Sequence, residues 1–194
     1  MKNQTIKIPK KVERFLAEVG AKYELIGHRT VYTAFDKAAT LKIKTNAIAK
    51  VLVVKIDGGL AMAVIGGDKN LDMDKLMKLA RPKGRGSLEA TKSKKIDFSK
   101  EKIIGEAFKG IDPGAVPPFA GLWNLKVFCD KKLLESPKII ISAGAYETSI
   151  KIAPGAFKKI NPEMTIGSFS ISKPKPKTKP EKKTAKPALK KRKK

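Results

Sequence analysis

One cysteine, one histidine and eighteen acidic residues are all that this 194-residue chain offers to the commoner catalytic chemistries. With Cys129 alone, no internal disulfide can form, and a reducing compartment is expected. With His28 as the only histidine, a His/Cys zinc or transition-metal cluster is excluded by count, and any imidazole-based triad would have to use that one ring. A metal site is therefore not expected. Long apolar runs are missing too. The first residues, Met1-Lys2-Asn3-Gln4-Thr5, lead into no apolar stretch, so neither a signal peptide nor a membrane span is expected, and the expected location is cytoplasmic.

Scarce acid leaves 43 Lys and Arg to set a formal charge of +25. Residues 173–194 hold twelve of them against Glu181, a net +11, and the preceding 172 residues hold +14. Both parts attract polyanions, and nucleic acid is the commonest polyanion a soluble protein meets. A membrane surface is the weaker partner, because no basic stretch carries the large apolar face of an interfacial helix. Lys-Pro alternation from residue 173 cannot bury apolar surface and predicts a disordered, extended tail. The tail has a plain reading as a solubilising arm and a specific one as a phosphate-tracking arm.

At 41% apolar residues the remainder supports one domain over residues 1–172. Val12, Phe15, Leu16 and Val19 predict a helix over 9–19 that stops at Gly20. Tyr23–Gly27 reads as a strand, Thr33 caps a helix over 34–42, and Asp57-Gly58-Gly59 turns a strand at 49–56 back into one at 60–65. Asp72 caps a helix to Ala80, a short strand is expected near 88–90, and Ser99 caps a helix over 100–108. Strands follow at 125–128, 138–141 and 148–152, then a helix over 155–160. This order predicts an α+β fold with a curved, mixed, largely antiparallel, barrel-like sheet flanked by helices.

Chemistry concentrates at two places. Lys50 enters the apolar strand Ala49-Lys50-Val51-Leu52-Val53-Val54, where a buried ammonium is costly unless it meets an anion, a carbonyl or a substrate. The alternative is a strand-edge lysine that snorkels to water. Gly114-Ala115-Val116-Pro117-Pro118 is the second place. Gly114 admits positive φ or a close ligand, and the prolines stiffen the loop so that the Ala115 and Val116 amides can serve an oxyanion; the alternative is a simple corner. The carboxylate pairs Asp72/Asp74 and Asp112/Asp130 read as caps, turns and strand ends, and His28 by itself reads as a buried hydrogen-bonding residue.

Taken in order, Lys50, the Asp57-Gly58-Gly59 hairpin, the Leu71-Asp72 helix, Gly114 to Phe119, Asp130 at a strand end, and Ser142-Ala143-Gly144 before Thr148-Ser149-Ile150 resemble a known family. The likeness, over about residues 10–162, is to the YbaK/ProX type of aminoacyl-tRNA deacylase, freestanding relatives of the editing domain of prolyl-tRNA synthetases. The resemblance implies hydrolysis of the ester of mischarged aminoacyl-tRNA, with tRNA as partner, an aminoacyl-tRNA synthetase as a further partner, and no cofactor. It implies that Lys50 contacts substrate, that the backbone at Gly114, Ala115 and Val116 holds the attacked carbonyl, and that Pro117 and Pro118 shape the loop. It puts His28, Tyr32, Gly144 and Tyr146 on the pocket wall, and it implies no side-chain nucleophile, the neighbouring ribose hydroxyl helping to activate water. Val51 stands where many members have Thr or Asn, and Ala145, Tyr146 and Glu147 stand where relatives often carry a His. Two other readings compete with the enzyme. One is a non-catalytic RNA- or ribosome-associated module of the same fold; the other, a DNA-compacting protein, accounts for the tail alone.

Overall fold

A computed structural model describes residues 6, 8–81 and 95–173. The expected strand near 88–90 lies outside these residues, as does the tail beyond Lys173. Helix α1 (Lys10–Val19) buries Val12 and Leu16 and ends at Gly20, whose φ of 60° is the left-handed conformation that glycine adopts without penalty. Strand β1 (Tyr23–Gly27) follows. Thr33 starts helix α2 (Ala34–Leu41), its hydroxyl accepting from the Asp36 amide at 3.1 Å. A 3-10 turn at Thr45–Ala47 then delivers the chain into strand β2 (Ala49–Ile56).

Asp57 and Gly58 form the two-residue turn to strand β3 (Gly59–Gly66), with Ile56 opposite Gly59. Their φ values of 51° and 86° are both positive, as a type I′ hairpin requires. Strand β4 (Lys69–Leu71) and helix α3 (Met73–Ala80) come next, the Asp72 carboxylate accepting from the Lys75 amide at 3.0 Å. After β5 (Ile96–Phe98) the helix α4 (Glu101–Ala107) begins without the expected Ser99 cap: the Ser99 amide donates to Val53 carbonyl, which continues the sheet edge, and Lys100 takes the cap position. Helix α5 (Ala120–Trp123), β6 (Lys126–Asp130), β7 (Ile139–Ala145), β8 (Thr148–Ile152), α6 (Pro154–Ile160), β9 (Thr165–Gly167) and β10 (Ser170–Ser172) complete the chain.

The sheet order β5-β2-β3-β6-β9 is antiparallel up to β3 and parallel beyond it, beside a second antiparallel sheet β1-β8-β7 and a β4-β10 pair. The α+β expectation holds; among the described residues the curved sheets do not close into a barrel. The two larger sheets meet at one parallel bridge, Ile48 to Ile140, too little pairing to seal a barrel.

Strand β3 lies at the centre, and its side chains alternate between two cores. Met62 and Val64 pack with Val12, Leu16, Phe119, Ile141 and Phe157, whereas Ala61, Ala63 and Ile65 pack with Leu76 of α3, Phe128 and Phe169. Burial on both faces explains why this strand reads as a continuous apolar run. Asp130, at the end of β6, is buried and accepts from the amides of Lys132, Phe169 and Ser170, so it fixes the approach to β10. Each amide left unpaired there would cost about 1–3 kcal/mol. That anchoring matters because the chain leaves β10 at the mouth of the site described next.

Candidate active site

Between α2, the start of β2, the loop after α4 and the β7–β8 end lies a cavity of about 430 Å³. Lys50, Gly114, Ala115, Tyr32 and Tyr146, distant from one another in the chain, line it together. So do Lys37, Ser142 and Lys173, which the sequence reading did not select. None of the described residues on this wall is an Asp or Glu, so the cavity carries an unbalanced positive field.

Lys50 reaches the cavity from a stretch of β2 that pairs only with β3, since β5 covers β2 at residues 54–56 alone. Its Nζ donates to the Lys69 carbonyl at 2.7 Å. Burial, then the nearby Lys173 ammonium, lowers the Lys50 pKa from 10.5, against a smaller opposing pull from Asp68. An ammonium has three N–H donors, so this carbonyl bond leaves two for a ligand. Lys173 enters directly from β10: its Nζ donates to the Gly67 carbonyl at 3.0 Å and lies 4.2 Å from the Phe35 ring centroid, a cation–π contact.

The Gly114 loop is held more firmly than its prolines alone would manage. The Asp112 amide donates to Gly144 carbonyl, the Tyr146 amide to Asp112 Oδ2 at 2.9 Å, and the Tyr146 hydroxyl to Pro113 carbonyl. Gly114 has φ 81° with open space where a Cβ would stand, so the glycine is required by backbone conformation and not by a tight contact. The Ala115 amide donates to Asp112 carbonyl, a turn bond that removes it from the set of oxyanion donors. Among the described residues the Val116 amide has no such bond, though Val116 lines a neighbouring 250 Å³ cavity that shares Gly114.

Pro117 and Pro118 are buried behind the loop, and the Pro117 carbonyl accepts from the Trp123 indole at 3.0 Å. They shape the loop without lining the cavity. Gly144 also sits behind the wall, at φ 98°, where an added Cβ would lie 2.9 Å from Pro9 Cγ. His28 is 4% exposed and lies off the wall. Its Nδ1 faces the Arg29 carbonyl at 2.9 Å and so carries the proton, which leaves Nε2 to accept from Ser149 Oγ at 2.8 Å. Burial pushes its pKa below 6.5, so it is a neutral, satisfied ring. Tyr32, 74% exposed, packs edge-on against Tyr146 with centroids 4.7 Å apart, at the outer rim.

Loss of the Tyr146 hydroxyl tests the loop clamp. Tyr146→Phe removes one hydrogen bond of about 1 kcal/mol and is expected to lower the thermal unfolding temperature by about 2–4 °C, measured by calorimetry; an unchanged temperature would mean that the hydroxyl does not clamp the loop. Cys129 has no part here: it is buried, and burial, with Asp130 beside it, raises its thiol to about 12. A larger cavity of about 630 Å³ lies against α1, α5 and α6, lined by Phe15, Val19, Leu125 and Ile160. Its wall carries Glu163, Lys126 and Lys159 and contains neither Lys50 nor the Gly114 loop. Among the described residues no helix is long and apolar enough to cross a membrane, and no cluster of three His, Cys, Asp or Glu could hold a metal ion.

No curated protein matches the chain. The crystal structure of a hypothetical protein superposes with a TM-score of 0.70 at 23% identity, covering 83% of this chain and 99% of that one. A protein provisionally assigned as a trans-editing enzyme for prolyl-tRNA synthetase gives 0.69 at 18% identity, covering 84% and 96%. A scaffold used for computational grafting of linear epitopes gives 0.68 at 17%, again covering 84% and 96%. At these identities the likeness establishes the fold alone. The family model for the aminoacyl-tRNA editing domain, however, matches residues 28–160, a span that runs from His28 through Lys50 and the Gly114 loop to the end of α6. The chain belongs to the aminoacyl-tRNA editing domain family.

Proposed function

We propose that the 430 Å³ cavity hydrolyses the ester joining a mischarged amino acid to the 3′-terminal ribose of tRNA, as a trans-editing deacylase. The observation that carries this reading is the meeting of Lys50 and the clamped Gly114 loop on one cationic wall that has no carboxylate. Water adds to the ester carbonyl, the carbonyl oxygen gathers negative charge, the C–O bond to ribose breaks, and the ribose oxygen leaves with a proton as hydroxyl. Free amino acid and tRNA are the products. In this scheme Lys50 donates from its remaining N–H groups to an oxygen of the bound aminoacyl-adenosine, and the backbone at Gly114, which lines both this cavity and the neighbouring one with Val116, holds the attacked carbonyl. Editing of this kind supplies the second sieve for amino acids that a synthetic site cannot reject by binding.

The tRNA body needs a second point of contact. Lys173 stands on the cavity wall, and the chain that continues from it carries eleven further Lys and Arg. In this reading those cations pair with phosphates near the 3′ end. A chain ended at Ser172 is expected to bind tRNA with a shallower dependence of log K on log salt, by about 0.7 to 0.9 for each phosphate the arm neutralised. An unchanged slope removes the arm from the scheme.

The competing reading, an RNA-binding module without turnover, gains from the engaged Ala115 amide and from Tyr146 standing where relatives often carry a His. Incubation with tRNAs charged with Ala, Cys, Ser and Pro separates the two. Deacylation of at least one above the spontaneous rate is expected; survival of every charged tRNA alongside tight binding would establish the module.

A further inference from the structure

Helix α2 turns Ala34, Lys37, Ala38 and Leu41 inward, the i, i+3, i+4, i+7 stripe that packs a helix against a core. Three of the four positions are apolar, and the fourth is a lysine. Lys37 is 8% exposed, whereas a snorkelling lysine keeps its head in water. Its Nζ donates to Ser142 Oγ at 3.2 Å, and both residues line the cavity. Among the described residues this is its one side-chain hydrogen bond, so further N–H donors have no protein acceptor. The neutral His28 ring interacts electrostatically with Lys37, and the other titratable groups on the cavity wall are the ammonium groups of Lys50 and Lys173 and the phenols of Tyr32 and Tyr146. No carboxylate on the wall offsets it.

A buried amine donor without an acceptor is costly, and a ligand oxygen would remove that cost. Repulsion keeps the α-ammonium of an aminoacyl ester away from this Nζ. The same cavity wall carries Val31, Ile48, Ala49 and Ala115, which take aliphatic surface and offer no polar side chain. With the ester carbonyl against the Gly114 loop and Lys50 on another ligand oxygen, an oxygen on the amino-acid side chain is an acceptor that would meet Lys37. Resting on the editing reading above, we propose that Lys37 and Ser142 determine specificity, selecting aminoacyl groups whose side chain bears an oxygen acceptor over purely aliphatic ones. A site built to hydrogen-bond a substrate oxygen discriminates strongly against the analogue that lacks it, because its own buried group is then left unpaired.

The test compares kcat/KM on seryl-, threonyl- and aspartyl-tRNA with that on alanyl-, valyl- and prolyl-tRNA, for wild type, Lys37→Met and Ser142→Ala. Methionine suits an inward helix position, so the variant is expected to fold. Wild type is expected to prefer at least one oxygen-bearing group by about 100-fold or more over alanyl, and Lys37→Met to bring that ratio within about tenfold of unity. Ser142→Ala is expected to shift the ratio in the same direction by a smaller factor. An unchanged ratio in Lys37→Met overturns the proposal, and so does an equal loss on every substrate, which would assign Lys37 to the ribose, the phosphates or the fold.

If no charged tRNA is hydrolysed, the editing reading fails, and the same ratio is read from binding of non-hydrolysable seryl- and alanyl-adenosine amides. Preference for the seryl amide that collapses in Lys37→Met supports the proposal even then. No preference, a preference that survives the substitution, or no binding of either amide overturns it.

Discussion

Lys50→Ala is expected to lower kcat/KM on a cognate mischarged tRNA by about 100-fold while leaving the fold intact. The size follows from what the side chain is placed to do. Its Nζ is half-buried against the Lys69 carbonyl and faces a cavity with no carboxylate, so its remaining donors act in a partly desolvated space where they are worth more than in water. A hydrogen bond from a charged donor is worth about 1.5–3 kcal/mol, which is about 10- to 150-fold in rate where it is made in the transition state. Stability should change little, because the lysine occupies the half-buried end of β2 and its substitution leaves only the exchangeable Lys69 carbonyl without this donor. Single-turnover deacylation separates the chemical step from tRNA binding. A loss confined to KM would mean that Lys50 only holds the tRNA.

Lys37→Met is expected to stabilise the protein by about 3 kcal/mol at pH 7, a direction opposite to that of most core substitutions. Burial lowers the Lys37 amine from 10.5 to about 8. Between those two values the unfolded chain binds more protons than the folded one, so the wild-type fold gains stability as pH rises through the window and is most penalised below pH 8. At 1.36 kcal/mol per unit, the shift sets the penalty that methionine removes. The advantage of the variant should therefore shrink as pH rises from about 8 and approach a constant, smaller value near 10.5. Denaturant unfolding of both proteins at pH 7, 8.5 and 10 measures it. A variant that is less stable at pH 7, or a difference that does not move with pH, contradicts the buried-amine account. Together with the specificity test, the result would make Lys37 a residue that weakens the fold for the sake of the ligand, a trade common at functional sites.

The residues that announced the site in the sequence are those whose chemistry clashed with their pattern. Lys50 interrupts an apolar strand, and Gly114 precedes a proline pair; both line the cavity. Lys37 broke its pattern in the same way, at the third-residue step of the stripe Ala34, Lys37, Ala38, Leu41, and reading the register of that helix would have found it. The Ala115 amide could not be judged in advance, since its use by Asp112 depends on a turn whose geometry no composition rule fixes. Strong helices and the Asp57-Gly58 hairpin were legible because cap, stripe and turn residues agree locally. Strands β4, β5, β9 and β10 were not: three residues are too few to display alternation, and each exists through a partner far along the chain. The parallel pairing of β3 with β6, and the missing closure of the barrel, are likewise properties of long-range register.

The most direct measurement is a crystal structure with a non-hydrolysable aminoacyl-adenosine amide bound. The account predicts the aminoacyl group in the 430 Å³ cavity, with an oxygen of the ligand within hydrogen-bond distance of Lys50 Nζ and its carbonyl against the Gly114 loop. Ligand in the 630 Å³ cavity beside Phe15 and Ile160, or no ligand at saturating concentration, would contradict it.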